Sequence, residues 1–183
     1  MNAQHFNSSH CLALLVVAAL LVTSAPIWIS HARAAGSLPD VELNADRVGP
    51  RAIEDLTRKS VARDYAYAWQ SMGQALAQNR ADLLNAYFTG FAKQDLSQKI
   101  ADQKRTGVQV QYTDMGHKLE AIFYSPSGDA MQLRDNVRLE IQILDGGKVI
   151  DREQVNLRYM VLMTPGADRW LVRDLETTPE VQR

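Results

Sequence analysis

The chain has 183 residues, 46% hydrophobic and 22% charged, with a formal net charge of −1. That length holds one domain plus a targeting segment, and the composition is ordinary for a globular fold. A balanced charge, with no Lys/Arg run and no acidic tail, excludes strong electrostatic attraction to nucleic acid or to an anionic membrane surface, so no nucleic-acid partner is expected.

The N-terminus departs from that average. Residues 12–25, LALLVVAALLVTSA, are an unbroken apolar run, followed by Pro26 and IWISHARAAG. Ala32-Arg33-Ala34 fits a small-x-small cleavage motif, which reads as a signal peptide cut after Ala34. The first eleven residues contain no Lys or Arg, however, and residues 12–29 make a fairly apolar stretch near the minimum for a membrane span, with Trp28 at its interface end. A cleaved signal peptide and an inner-membrane anchor both remain open. Either places the rest of the chain outside the cytoplasm, periplasmic or extracellular, with membrane contact only through residues 1–34. Cys11, the only cysteine, precedes the apolar run and is not read as a lipid anchor. The exported part then has no disulfide and depends on its core for stability. It carries 19 bases against 21 acids and one histidine, His117.

Residues 35–51, AGSLPDVELNADRVGPR, hold two prolines and two glycines and read as a linker. A helix is expected from about Ala52 to Gln78, because Ala62, Tyr65, Trp69, Met72 and Leu76 recur at three- and four-residue spacing. Arg58, Lys59, Arg63, Asp64, Gln70 and Gln74 fill much of the rest of that helix. Asn79 is placed to cap a second helix carrying Leu83, Leu84, Tyr87 and Phe88. A third helix spans about Lys93 to Arg105, buries Leu96 and Ile100, and stops at Gly107.

Beyond Gly107 the period becomes two. Residues 108–124 alternate in places and are interrupted at Met115-Gly116; SPSGD is a turn. Met131, Leu133, Val137, Leu139, Ile141 and Ile143 occupy odd positions, as do Val149, Val155, Leu157, Tyr159, Val161 and Met163 after the DGGK turn. A two-residue Gly146-Gly147 loop pairs odd with even positions and contradicts this pattern. A three-residue loop, or an equivalent bulge, sets Leu139 opposite Val155, Val137 opposite Leu157, Glu140 opposite Gln154 and Gln142 opposite Arg152. A one-residue slip turns a whole apolar face outward, so the second register is expected, on a sheet with one buried and one largely solvated face. The TPGAD turn leads to a last strand at Trp170.

Three helices followed by an antiparallel meander is an α+β order. Over residues 52–177 the chain resembles the NTF2-like (cystatin-like α+β roll) superfamily, on YAYAWQSMGQALAQNRADLLNAYF for the first two helices and VNLRYMVLMTPGADRWLVRDLE for the last hairpin. The additional helix AKQDLSQKIADQKRTG is more similar to the Tim44-like branch, which includes inner-membrane-space domains of plastid-division proteins. The resemblance implies three N-terminal helices on a curved antiparallel sheet, with residues 178–183 as a tail. It also implies a binding or assembly role for an exported domain.

No P-loop, dinucleotide fingerprint, nucleophile elbow or zincin motif occurs. One exported histidine and no exported cysteine make a zinc site improbable, and no cofactor or metal is expected. His117, after Met115-Gly116, reads as an exposed turn residue. Asp135 breaks the odd apolar series, opposite Tyr159. A buried carboxylate must be hydrogen-bonded or protonated. It is therefore either a structural Asp–Tyr contact or the acid–base group of a small isomerase- or dehydratase-type enzyme using Asp135 and Tyr159, with Tyr65 and Trp69 as further pocket candidates. Members of the superfamily with such activities place acids and tyrosines in the cavity under the sheet. Met160, Leu162 and Leu171 are expected on the outer face, as a candidate contact patch for a protein partner or a second copy. A small apolar ligand under the sheet is the other partner the pattern allows. The expectation is a non-catalytic binding or assembly domain at the cell envelope, with the pocket enzyme as its alternative.

Overall fold

The computed structural model describes residues 38–178. The elements are β1 (Leu43–Asn44), α1 (Asp55–Ala77), a 3₁₀ helix (Ala81–Ala86), α2 (Gly90–Thr106), β2 (Val108–Tyr124), β3 (Met131–Asp145), β4 (Lys148–Pro165) and β5 (Trp170–Thr178). The strands form one sheet in the order β1-β2-β3-β4-β5, antiparallel except for the parallel β1–β2 pair. The helices pack on one face of this curved sheet, an α+β roll.

The long helix forms as its apolar stripe dictates. Val61, Tyr65, Ala68, Trp69, Met72 and Leu76 are buried against Leu119 and Ala121 of β2, Leu133 and Val137 of β3, Val161 and Met163 of β4, and Val172 of β5. Asp64, expected among the helix's polar residues, is also buried. Its Oδ2 accepts the Trp170 backbone N–H at 2.8 Å and its Oδ1 accepts Arg63 Nε at 2.8 Å, which ties α1 to the start of β5.

The second of the three expected helices is only a six-residue 3₁₀ stretch, in which Leu84 alone is buried. One anchor does not make an amphipathic stripe, and short 3₁₀ segments serve as connectors. Asn79 does not cap it. That residue takes the left-handed conformation (φ 53°) just past α1. Its Nδ2 donates to the Val108 carbonyl at 3.0 Å and its Oδ1 accepts from Gln103 Nε2 at 2.6 Å, so it pins the ends of α1 and α2 to the start of β2. α2 ends at Gly107 with φ 77°, the left-handed cap expected there.

The β3–β4 register is the one the apolar alternation demands. Leu139 faces Val155, Val137 faces Leu157, Asp135 faces Tyr159, and Gln142 faces Arg152. The chain reaches it through the bulge option. Gly146 and Gly147 make a two-residue turn with φ of 54° and 82°, which glycine adopts without Cβ strain. The extra residue is absorbed between Asp151 and Val149, where the pairing slips by one.

Part of the segment read as a linker lies along the sheet. Leu43 is buried and pairs with Leu119 of β2, and the Gly49 carbonyl accepts the Tyr124 N–H at 2.8 Å. Polar composition concealed one apolar anchor, Leu43, and a run of backbone groups able to extend the β2 edge. Among the described residues no helix is long and apolar enough to cross a membrane. The apolar run 12–25, the candidate anchor 12–29 and Trp28 lie outside the described residues.

Trp69 and Trp170 are 6% and 8% exposed. Trp69 meets Tyr65, His117 and Tyr159 edge-on, with ring centroids 4.7 to 6.3 Å apart, and Trp170 meets Tyr124 at 6.3 Å. Replacing either tryptophan by Ala should cost about 3–5 kcal/mol, read from the urea midpoint. A midpoint equal to that of the parent would contradict the packing of helix on sheet.

Candidate functional site

Asp135 lies mid-strand on β3 with its side chain on the helix-covered face, and it is fully buried. Its Oδ2 accepts the Tyr65 hydroxyl at 2.8 Å, from α1, and lies 2.6 Å from His117 Nδ1, on β2. On the other side of the imidazole, His117 Nε2 faces Asp114 Oδ2 at 3.4 Å. Trp69 and Tyr65 both pack edge-on against the His117 ring. Asp135 Oδ1 has no protein hydrogen-bond partner.

His117 is therefore not an exposed turn residue; its side chain has no solvent exposure. The reason is local. Met115-Gly116 is a bulge inside a continuous strand, not a turn between strands: Asp114 pairs with Leu139 and Gly116 with Arg138, leaving Met115 as the extra residue. Gly116 has φ 136°, and its N–H is accepted by Asp114 Oδ1 at 2.7 Å. Before the bulge the even positions Tyr112 and Asp114 share the inner face; after it the odd positions His117, Leu119 and Ala121 do. The signal was present in the sequence, since Val108, Val110 and Tyr112 are even and Leu119 and Ala121 are odd, and the parity can change only through an inserted residue between them.

Burial disfavours a charged imidazole, but Asp114 and Asp135, by hydrogen bonding and by charge, outweigh it and raise the His117 pKa from 6.5 to about 9. The Tyr65 hydroxyl is pushed well above its ordinary value, first by burial and then by the Asp135 charge, while a hydrogen bond with Trp69 acts the other way. Burial also raises Tyr159, with Tyr112 and Asp135 adding to it. At neutral pH the His117 ring is an imidazolium with Asp114 and Asp135 on either side of it, and both phenols keep their protons.

Of the four pocket candidates, Tyr65, Trp69, Asp135 and Tyr159 do converge here. The hydrogen bond to Asp135 comes from Tyr65, and Tyr159 stands across the strand pair and packs on Trp69 at 5.6 Å. The gap between Tyr65, Trp69, Met72, Phe88 and Leu175 is too narrow for a water molecule. The two carboxylates flank opposite nitrogens of the imidazole and do not converge on one point; among the described residues no group of three or more His, Cys, Asp or Glu is placed to hold a metal ion. Met160, Leu162 and Leu171 are half-buried on the opposite face of the sheet, paired with Arg134, Gln132 and Thr164. Sequence reasoning placed His117 in an exposed turn and did not single out Asp114.

In sequence, the chain matches no protein-family model and no curated protein. In structure it is similar to the intermembrane space region of the chloroplast protein ARC6, with a TM-score of 0.57 at 12% identity, covering 70% of this chain and 98% of that one. The Kfla4162 protein of Kribbella flavida (TM-score 0.47, 15% identity, 68% and 93% covered) and ActVI-ORFA of Streptomyces coelicolor (0.46, 14%, 66% and 95%) also match. The fold is the NTF2-like α+β roll.

Two expectations follow from the cluster. A histidine whose pKa is raised on folding stabilises the protein fully below its unfolded pKa of 6.5, and that contribution disappears as pH climbs through about 9. Stability should therefore fall between pH 6.5 and 9, by on the order of 3 kcal/mol, and the His117 ring carbons should titrate near 9 by NMR. A midpoint near 6.5 would refute the ion pair. Separately, Asp135→Asn should cost about 3–5 kcal/mol, because it strands a buried imidazolium; the loss of one ordinary hydrogen bond, about 1 kcal/mol, underestimates it. Adding His117→Gln should recover part of that loss, giving a coupling energy of about 2 kcal/mol in a double-mutant cycle. Additive losses would mean that the two residues act independently.

Proposed function

We propose that the protein is an exported NTF2-like domain that serves binding or assembly at the cell envelope and catalyses no reaction of its own. The observation that carries this reading is the zero side-chain exposure of His117 and Asp135 and the full burial of Tyr65. Acid–base work requires a group within hydrogen-bond reach of a substrate, and here the space under the sheet is taken by Trp69, Tyr65 and Met72. Tyr65 and His117 spend their hydrogen bonds on Asp135 and their ring contacts on Trp69, the usual structural role of buried polar groups, with Asp135 Oδ1 left without a protein partner.

The outer face offers the contrast. No helix among the described residues covers it, and Met160, Leu162 and Leu171 stand half-exposed among polar neighbours, with Phe123 39% exposed one strand pair away from Leu162. An apolar group rimmed by polar residues suits a protein partner. The apolar run 12–25 and the Ala32-Arg33-Ala34 motif support export. The likeness to a region of ARC6 that lies in an intermembrane space agrees with an envelope location.

The His117–Asp135 pair is the one observation that favours the alternative, a small pocket enzyme of the isomerase or dehydratase kind. Its acid–base set would be Asp135 with His117 and Tyr65, with Tyr159 beside it. It requires the helix-covered face to open.

A photo-crosslinking residue in place of Leu162 in the full-length protein, irradiated in cells, should give discrete higher-mass adducts. The same residue in place of Leu56, which is 80% exposed on α1, should give none. Absence of adducts from Met160, Leu162 and Leu171 alike would overturn the assembly reading.

A further inference from the structure

β5 ends at Thr178, opposite Arg158, and among the described residues no strand pairs with β4 on that side between Lys148 and Leu157. The Arg158 carbonyl points to this side, since it accepts the Thr178 hydroxyl at 3.3 Å. Backbone groups alternate along a strand, so Asn156, Gln154 and Arg152 turn their N–H and C=O the same way, to the open edge. Most proteins blunt such an edge or cover it.

Beside the edge, on the outer face, lies an open groove of about 730 Å³. Lys118, Asn136, Arg138, Asn156, Arg158 and Thr178 line it, and no carboxylate does. The cations around its rim are engaged: Arg134 with Glu120 at 3.2 Å and Arg152 with Glu140 at 3.7 Å. Those inside it are not. Among the described residues Lys118, Arg138 and Arg158 make no ion pair, and Arg158 only donates to Asn136 Oδ1 at 3.0 Å. In a protein of near-neutral charge, three cations left without carboxylates around one groove are a local excess that suits a negatively charged partner.

From this juxtaposition we infer that the β4 edge over residues 149–157 binds an extended acidic segment of another protein as an added strand. Alternate side chains of an added strand fall on opposite faces. On the outer face they meet Arg138 and Arg158. On the inner face they meet the half-buried Val155 and Leu157, which pack at the margin of the core, and further along the edge the exposed Glu153 and Asp151. The segment therefore alternates acidic and apolar residues. The inference rests on the assembly reading and gives that assembly its partner chemistry.

The probe is a fluorescein-labelled 11-residue peptide of alternating Val and Glu, titrated by anisotropy against the full-length protein. The controls are a Val/Lys peptide and a Val/Glu peptide N-methylated at alternate residues. The Val/Glu peptide should bind, and both controls should bind at least tenfold more weakly. Gln154→Pro removes an edge N–H that no described strand uses, a change that edge strands tolerate, and it should weaken binding at least tenfold. Arg138→Glu with Arg158→Glu should do the same, and it carries the test should Gln154→Pro fail to fold. Undiminished binding to Gln154→Pro, equal binding of the N-methylated peptide, complete displacement by 10 mM inorganic phosphate, or binding that requires deletion of residues 179–183 would each overturn the proposal. Photo-adducts from Leu162 that persist beside a negative peptide result would sink the edge site and leave the assembly reading standing.

Discussion

A carboxylate without access to water stands in the central strand of the sheet, and much of the fold is arranged around its charge. Burying an ion is costly unless it is paired and hydrogen-bonded. Asp135 obtains its partners from two other elements: a hydroxyl from α1 through Tyr65 and an imidazolium from β2 through His117. Each requirement constrains a larger feature. Tyr65 reaches Asp135 only when the apolar stripe of α1 lies along β3. His117 reaches it only because Met115 is expelled from the ladder and Gly116 accepts the φ that the bulge needs. Asp64, the residue before Tyr65, repeats the device toward β5, whose first N–H its carboxylate accepts.

How much of this was legible in the sequence follows from which residues carried the signal. The β3–β4 register was readable because six apolar residues on each strand shared one parity, and of the short loops the DGGK turn allows only the three-residue one, or its bulged equivalent, buried both rows. The Asp135–Tyr159 juxtaposition came with it. The Asp135–His117 contact was not readable by the same route, since β2 changes parity at Met115-Gly116, and a Gly beside a Met reads as a turn when no partner strand is known. Tyr65 was named as a neighbour, but hydrogen bonding to Asp135 depends on the rotation of α1 over the sheet, which periodicity alone does not fix. Asp64 misled for the opposite reason. A charged residue beside Arg63 on a helix usually faces water, and nothing local says that a strand more than a hundred residues later will bring it an N–H to accept. The middle helix failed on the same ground: Leu83, Leu84, Tyr87 and Phe88 suggest a stripe, yet the chain turns into the sheet after Ala86, with Val172 N–H donating to the Tyr87 carbonyl and Thr89 N–H to that of Val172.

Bulges give this sheet its parity. The one at Met115 brings His117 inward, the slip near Ile150 restores the β3–β4 register after a tight two-glycine turn, and a third, between Val172 and Asp174 of β5, returns Leu175 to the core side. Each supplies one residue of offset where strict alternation would put the wrong side chain inside. Bulges bend and twist the strands that carry them, so the residues that correct parity also supply curvature.

A buried ion pair adds little net stability over a well-packed apolar replacement, so its presence calls for another physical reason. Specificity of register supplies one. β2, β3 and β4 each run for 15 residues or more, and long ribbons of alternating Val, Ile and Leu pair almost as well after a two-residue slip, which keeps the faces correct. Apolar contacts alone discriminate weakly against that error. A two-residue slip of β3 against β2 that carries Asp135 toward Ala121 parts it from His117, a slip of either sign moves it off the Tyr65 hydroxyl, and each stranded polar group is penalised by a buried desolvation cost. The charge pair thus makes the two-residue slip costly, while the apolar alternation already makes the one-residue slip costly. Between them they leave one alignment of the ribbon, and with it one arrangement of the outer face, where Lys118, Arg138 and Arg158 are brought to a common groove only in that register.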